Sequence, residues 1–152
     1  MKNIPTQDEA YRRLTTLCAR SEHCTGQMRQ KMRQWQMPSA DIEAVVDRLV
    51  DNKFVDDERY VGAFVSDKVR YDRWGPKKIE AALRMNRLDD RLIRQALDEV
   101  DTDLFAENLS ELIAIKRRSL LKCSEQEARE KLIRFALSRG YTYDMVSRCL
   151  NL

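Results

Sequence analysis

Six apolar positions, Met28, Met32, Met37, Ile42, Val45 and Val46, recur as Ile79, Leu83, Leu88, Ile93, Ala96 and Leu97 after a shift of 51 residues. A further shift of 53 residues gives Leu132, Ala136, Tyr141, Val146, Cys149 and Leu150, again one for one. A spacing of 4, 5, 5, 3 and 1 kept in three places is the mark of an internal repeat, and it predicts three copies of a helix-helix-helix module. The leading helix of each copy aligns only loosely. The divisions expected are residues 1–54, 55–100 and 101–152. Small modules bury little by themselves and lean on their neighbours, so the expected molecule is an elongated, curved, all-α array of about nine helices with no sheet.

The punctuation of the chain agrees with that count. Thr6-Gln7-Asp8-Glu9 and Ser124-Glu125-Gln126-Glu127 have the capping-box form, in which a hydroxyl and a carboxylate satisfy orphan amides reciprocally. The first opens a helix carrying Ala10, Leu14, Leu17 and Cys18, and the second one carrying Ala128, Leu132, Phe135 and Ala136. A second helix is expected over about Thr25 to Gln36, and Pro38-Ser39 starts a third with a 3.6-residue period. In the centre, Asp56-Asp57-Glu58 places a cap and negative charge where a helix is positive, and Val61, Phe64, Val65 and Val69 form one stripe. Gly75 suits the left-handed position past that helix and Pro76 the first turn of the next. Asp89-Asp90 caps a sixth helix, Thr102 starts a seventh, Gly140 ends the eighth, and Thr142 caps a short ninth.

Composition narrows the function. With 35% charged residues, 7% aromatic, four glycines and three prolines in 152 residues, the chain reads as a helical protein with a thin core and much solvated surface. Four scattered cysteines without a Cys-x-x-Cys pair, no export signal and no long apolar run point to reduced thiols in a soluble, cytoplasmic protein. His23 is the sole histidine and has no serine or carboxylate constellation, so an enzyme is not expected. Cys18, His23 and Cys24 lack a fourth ligand, which argues against a metal, and the absence of a Gly-rich phosphate loop argues against a nucleotide. No cofactor is expected.

What remains is a basic middle. Arg70, Arg73, Lys77, Lys78, Arg84 and Arg87 outnumber the acids around them, with Tyr71 and Trp74 interleaved. Three readings stay open: a phosphate-facing surface with aromatics stacking on unpaired bases, an ordinary solvated helix face, or the docking surface of an acidic protein. Trp35 and Trp74 sit just before corners, as core residues or interface anchors.

The stretch Phe54-Val55-Asp56-Asp57-Glu58-Arg59-Tyr60, then Phe64-Val65, Arg70 and Trp74-Gly75-Pro76-Lys77-Lys78-Ile79, resembles the central signature of the RecX family, regulators of the recombinase RecA. Leu17-Cys18-Ala19-Arg20 with His23-Cys24 and Met28, and Arg139-Gly140-Tyr141-Thr142-Tyr143-Asp144, resemble the family's first-helix ending and C-terminal element. Cys24 stands where a serine cap is usual, and Gln36 and Arg87 where glycine commonly ends the helix. The resemblance implies a cytoplasmic modulator that binds RecA in the filament on single-stranded DNA and limits its extension, ATP hydrolysis and strand exchange, and a monomer is expected. The six basic residues above are then the candidate contacts. Asp57, Arg59, Phe64, Gly75 and Pro76 match the signature as cap, helix-end pairing, core and corner. Two rival readings are a stand-alone single-strand binder acting by competition and a helical scaffold for another partner.

Overall fold

The computed structural model describes residues 3–152. Among the described residues it holds nine α-helices and no strand. They are α1 (Gln7–Arg20), α2 (Thr25–Gln34), α3 (Ser39–Asp51), α4 (Asp57–Arg70), α5 (Pro76–Met85), α6 (Asp90–Asp98), α7 (Thr102–Arg118), α8 (Glu125–Ser138) and α9 (Tyr143–Leu150). The first module packs α1 and α2 on α3, the second packs α5 and α6 with α4, and the third packs α7, α8 and α9 against one another.

The repeat has a backbone basis. Gln36, Arg87 and Gly140, equivalent under the two shifts, all take positive φ, of 61°, 56° and 95°. Each turns the chain out of a middle helix. The next amide then bonds back to a helix carbonyl: Met37 to Met32, Leu88 to Leu83 and Tyr141 to Ala136, at 3.1, 3.3 and 3.3 Å. This is how a left-handed residue closes a helix C-terminus. The second helix accordingly stops at Gln34, because Gln36 takes the left-handed turn instead of extending it. Four of the six repeated apolar positions are buried in all three modules; the last two are fully buried only in the first, as Val45 and Val46.

Most caps lie where the residues place them. Thr6, Asp56, Asp89, Ser124 and Thr142 each accept an amide of the first turn. Among the described residues the capping box is reciprocal only at Cys24, whose amide donates to Gln27 Oε1 at 3.0 Å. At Thr6 the Glu9 carboxylate takes the Thr6 hydroxyl instead, at 3.1 Å. The seventh helix is capped by Asp101, one residue before Thr102. Gly75 is not left-handed: its φ is −80° and it caps α5, with Pro76 in the first turn, while Arg73 carries the positive φ of that corner.

Gly75 is required for a different reason. A Cβ there would collide with the backbone of Gly140 and Tyr141. Gly75 N–H donates to Arg139 O at 2.7 Å and Lys77 N–H to Gly140 O at 2.8 Å, so the start of α5 sits on the corner that ends α8. The equivalent start of α2 sits on the corner that ends α5, where Gly26 packs against Asn86 O. One rule therefore builds both joints. Their chemistry differs, however. The second and third modules share one hydrophobic cluster running from Val61 through Leu109 to Val146, braced by Tyr141 Oη donating to Arg73 O and Asn108 Nδ2 donating to Val69 O, at 2.8 and 2.9 Å. The first module keeps its own cluster around Leu14, Met28, Val45 and Leu49, and contributes only Cys24 to the larger one.

The joint between the first two modules is held mainly by side chains. Asp57 accepts from Thr25 N–H at 2.8 Å and Thr25 Oγ1 at 2.7 Å, placing a carboxylate at the positive end of α2. Arg59 pairs with Glu22 at 3.0 Å. Asp57 is thus not the cap of its own helix, which is Asp56, but an anchor for its neighbour's. The molecule exposes 10104 Å². A compact monomer of its mass would expose about 8,000 Å², so the array is extended.

Candidate functional site

The six basic residues singled out from the sequence do not form one face. Arg73 is committed to structure: its guanidinium pairs with Glu111 at 2.9 Å and its carbonyl holds Tyr141. Arg84 bonds Glu80 at 2.8 Å and Asp90 at 3.3 Å, and Lys77 lies 3.9 Å from Glu80. Lys78 Nζ lies over the Trp74 ring at 4.5 Å. Arg70 and Arg87 are exposed, and neither makes an ion pair among the described residues.

The structure instead gathers Lys68, Trp74 and Lys78. Lys68 Nζ is 4.6 Å from the Trp74 centroid, so two ammonium groups share one half-buried indole, which in turn packs edge-on against Phe64. Phe64 stacks on Tyr60 with centroids 5.9 Å apart. Trp74 is therefore part core and part surface, and Phe64 links it to Tyr60 in an aromatic ladder. Trp35 is likewise half-buried, covered by Arg13 at 5.3 Å.

Two of the grooves on the surface lie at module joints. The first, of about 660 Å³, runs between α3 and the start of α4, with Thr25, Arg29, Val46, Asp47, Arg87 and Asp89 in its wall. The second, of about 410 Å³, runs between α6 and the start of α7, with Pro76, Glu80, Leu97, Asp98 and Thr142 in its wall. These residues correspond under the same shifts: Thr25 to Pro76, Arg29 to Glu80, Val46 to Leu97, Asp47 to Asp98 and Asp89 to Thr142. Arg87 belongs to the first groove, and Lys77 and Arg84 to the second. Arg70 borders a third, smaller depression between α4 and α6. The clue in the sequence was the repeat register itself, carried from the apolar positions onto the polar ones beside them.

Two of the four cysteines, Cys18 and Cys24, pack at the first module. Burial pushes the Cys24 thiol up, and its Sγ lies 3.9 Å from Asn86 O in the first joint. Burial also raises Cys18, whose Sγ lies 3.9 Å from Met28 Sδ. His23 Nδ1 is 2.9 Å from Ser21 O. Among the described residues no three His, Cys, Asp or Glu side chains converge in a way that would hold a metal ion, and no helix is long and apolar enough to cross a membrane.

Comparison with known proteins matches all three modules to one family. Residues 10–49, 56–97 and 105–150 fit the models of the first, second and third three-helix domains of RecX. The chain is 36% identical over 135 residues to the regulatory protein RecX of Pseudomonas savastanoi pv. phaseolicola, covering 89% of this chain and 85% of that protein. It is 31% identical to the regulatory protein RecX of Vibrio parahaemolyticus, with the same coverage. In fold it is similar to the crystal structure of RecX from Lactobacillus salivarius, with a TM-score of 0.86 over 95% of this chain and 94% of that one, at 19% identity.

Proposed function

The chain belongs to the RecX family of regulatory proteins, and from that premise we propose that it binds RecA as the filament on single-stranded DNA and restrains it. Filament extension, ATP hydrolysis and strand exchange are the activities it limits. The observation that carries this reading is the extended array itself, with open grooves spread over several modules rather than one enclosed pocket. Such a surface suits a long partner, and contacts distributed over modules add up through effective concentration. The proposed contacts are Arg70, Lys77, Arg84 and Arg87, with Lys78 beside Trp74. Arg73 contributes by holding the corner.

Competition for single strands is the alternative supported by the Lys68–Trp74–Lys78 cluster, since ammonium groups around an indole are elements of single-strand binding. Titration of RecA ATP hydrolysis on single-stranded DNA separates the two. Inhibition well below one chain per RecA, with little binding to bare DNA, is the expected result. Inhibition only at concentrations that coat the DNA, falling steeply with salt, assigns the protein to competition instead.

A further inference from the structure

We propose that the corner between α7 and α8 is a protein-docking knob: Leu121 enters an apolar pocket on a RecA subunit of the filament, and carboxylates around that pocket meet Arg117, Arg118 and Lys122. This rests on the functional reading above and adds a contact outside the two joint grooves. The corner is a fixed mount. Ser119 N–H donates to Lys116 O, Leu120 N–H to Arg117 O and Cys123 N–H to Leu120 O, each at 3.0 Å, so the chain leaves α7 through successive hydrogen-bonded turns. Leu120 is 8% exposed and packs into the core shared by the second and third modules. Leu121, the next residue, is 82% exposed, and Ile115 on α7 is 53% exposed. One leucine anchors the corner and the other is left in water.

The charge of the corner is one-sided. From Leu112 to Ser124 the chain carries four cations, Lys116, Arg117, Arg118 and Lys122, and no acid. Lys116 is taken up, its Nζ lying over the Phe135 ring at 5.4 Å. Arg117, Arg118 and Lys122 are exposed, and none makes an ion pair among the described residues. The first two turns of α8 carry Glu125, Glu127 and Glu130 against Arg129 and Lys131, so the positive surplus belongs to the corner itself. Glu125 and Glu127 have their own reason, since carboxylates complement the positive start of a helix. The dipole of α7 likewise favours cations in its last turn, but it accounts for neither Lys122 beyond that turn nor an exposed Leu121.

An apolar centre inside a charged rim is the anatomy of a protein–protein contact. Charge alone would suit a phosphate backbone, which offers no apolar pocket and would leave Leu121 in water. The rim on the partner is acidic because it faces three unpaired cations, and Glu125 and Glu127 repel it, which bounds the contact at the start of α8. The knob and the second groove stand at opposite ends of α7, whose 17 residues span about 25 Å. The third module thereby gains a point of attachment of its own, and contacts on one frame reinforce one another.

The test uses the full chain and filaments preformed on single-stranded DNA, with binding read by anisotropy of labelled protein and bare single-stranded DNA as a parallel arm. The variants are Leu121→Ser, Leu121→Met, and Arg117→Glu combined with Arg118→Glu. Arg129→Glu combined with Arg134→Glu on α8 is the charge-matched control, and thermal melting checks the fold of each. Leu121→Ser should weaken filament binding about tenfold or more without changing melting, and Leu121→Met should keep it. Reversal at Arg117 and Arg118 should weaken it further, and the α8 pair far less. Filament binding by folded Leu121→Ser equal to that of the parent overturns the inference. Equal losses from the corner pair and the α8 pair also overturn it, since net charge then suffices. A parallel loss of binding to bare DNA in the corner pair assigns the corner to phosphate and overturns it too. A parent chain that binds no filament overturns the functional reading, and this inference with it.

Discussion

Gly75 and Gly140 touch across the joint of the second and third modules, and the contact shows what one residue can decide. Gly75→Ala drives a methyl into backbone that cannot yield, and denaturant unfolding should show a loss of about 2 kcal/mol or more. Gly62 is the contrasting case, inside α4 with open space where its Cβ would be. Gly62→Ala should stabilise by about 0.5–1 kcal/mol, because only backbone entropy is at stake. Both glycines look alike in the sequence. The reading of Gly75 as left-handed follows the usual helix-Gly-Pro pattern, but its real constraint is a neighbour 65 positions away, which no local pattern encodes. Tyr141, in the same joint, has its hydroxyl pushed up to about 12 by burial, with Arg73 opposing. The folded state therefore holds its proton more tightly than the unfolded chain. Its contribution is complete below the ordinary tyrosine range near 10 and is lost as pH rises from there through about 12. Tyr141→Phe should flatten the stability-versus-pH curve in that window, while costing about 1 kcal/mol at neutral pH for the bond to Arg73 O.

At the scale of elements, the three corners after the middle helices share one conformation but not one residue type. Glycine serves at Gly140, while Gln36 and Arg87 hold left-handed geometry against the steric preference of their side chains. Gln36→Gly should relieve about 1 kcal/mol, read as a higher melting temperature. Arg87→Gly should also raise melting, yet weaken filament binding, because the same side chain stands in the first groove; a rise in both would remove Arg87 from the contacts. Helix existence was largely legible because capping residues and 3.6-residue periodicity act locally. The missed details were those settled across space. Asp57 serves α2 rather than its own helix, and Glu9 takes the Thr6 hydroxyl instead of closing the box. Half of the basic middle is likewise taken up locally, since Glu80 and Glu111 draw Lys77, Arg84 and Arg73, cations that composition alone would count as free.

The whole molecule is not three equal beads. The repeat register, readable from six apolar positions, gave the modules and their order, but not the unequal joints. Two backbone hydrogen bonds and a common core weld the second and third modules, whereas Asp57, Arg59 and the start of α2 at Cys24–Gly26 attach the first. Asp57→Ala, which removes two charge-assisted bonds, should therefore cost about 2 kcal/mol and let the first module unfold ahead of the rest, splitting one melting transition into two. An extended frame with one firm and one softer joint can follow a helical partner while presenting grooves at successive joints. The most direct measurement of that account is hydrogen exchange of the full chain, alone and bound to RecA on single-stranded DNA. Slowed exchange in both α3 and α6, one module apart, with α8 unchanged, is the expected result. Protection confined to a single module, or none in either groove, would contradict it.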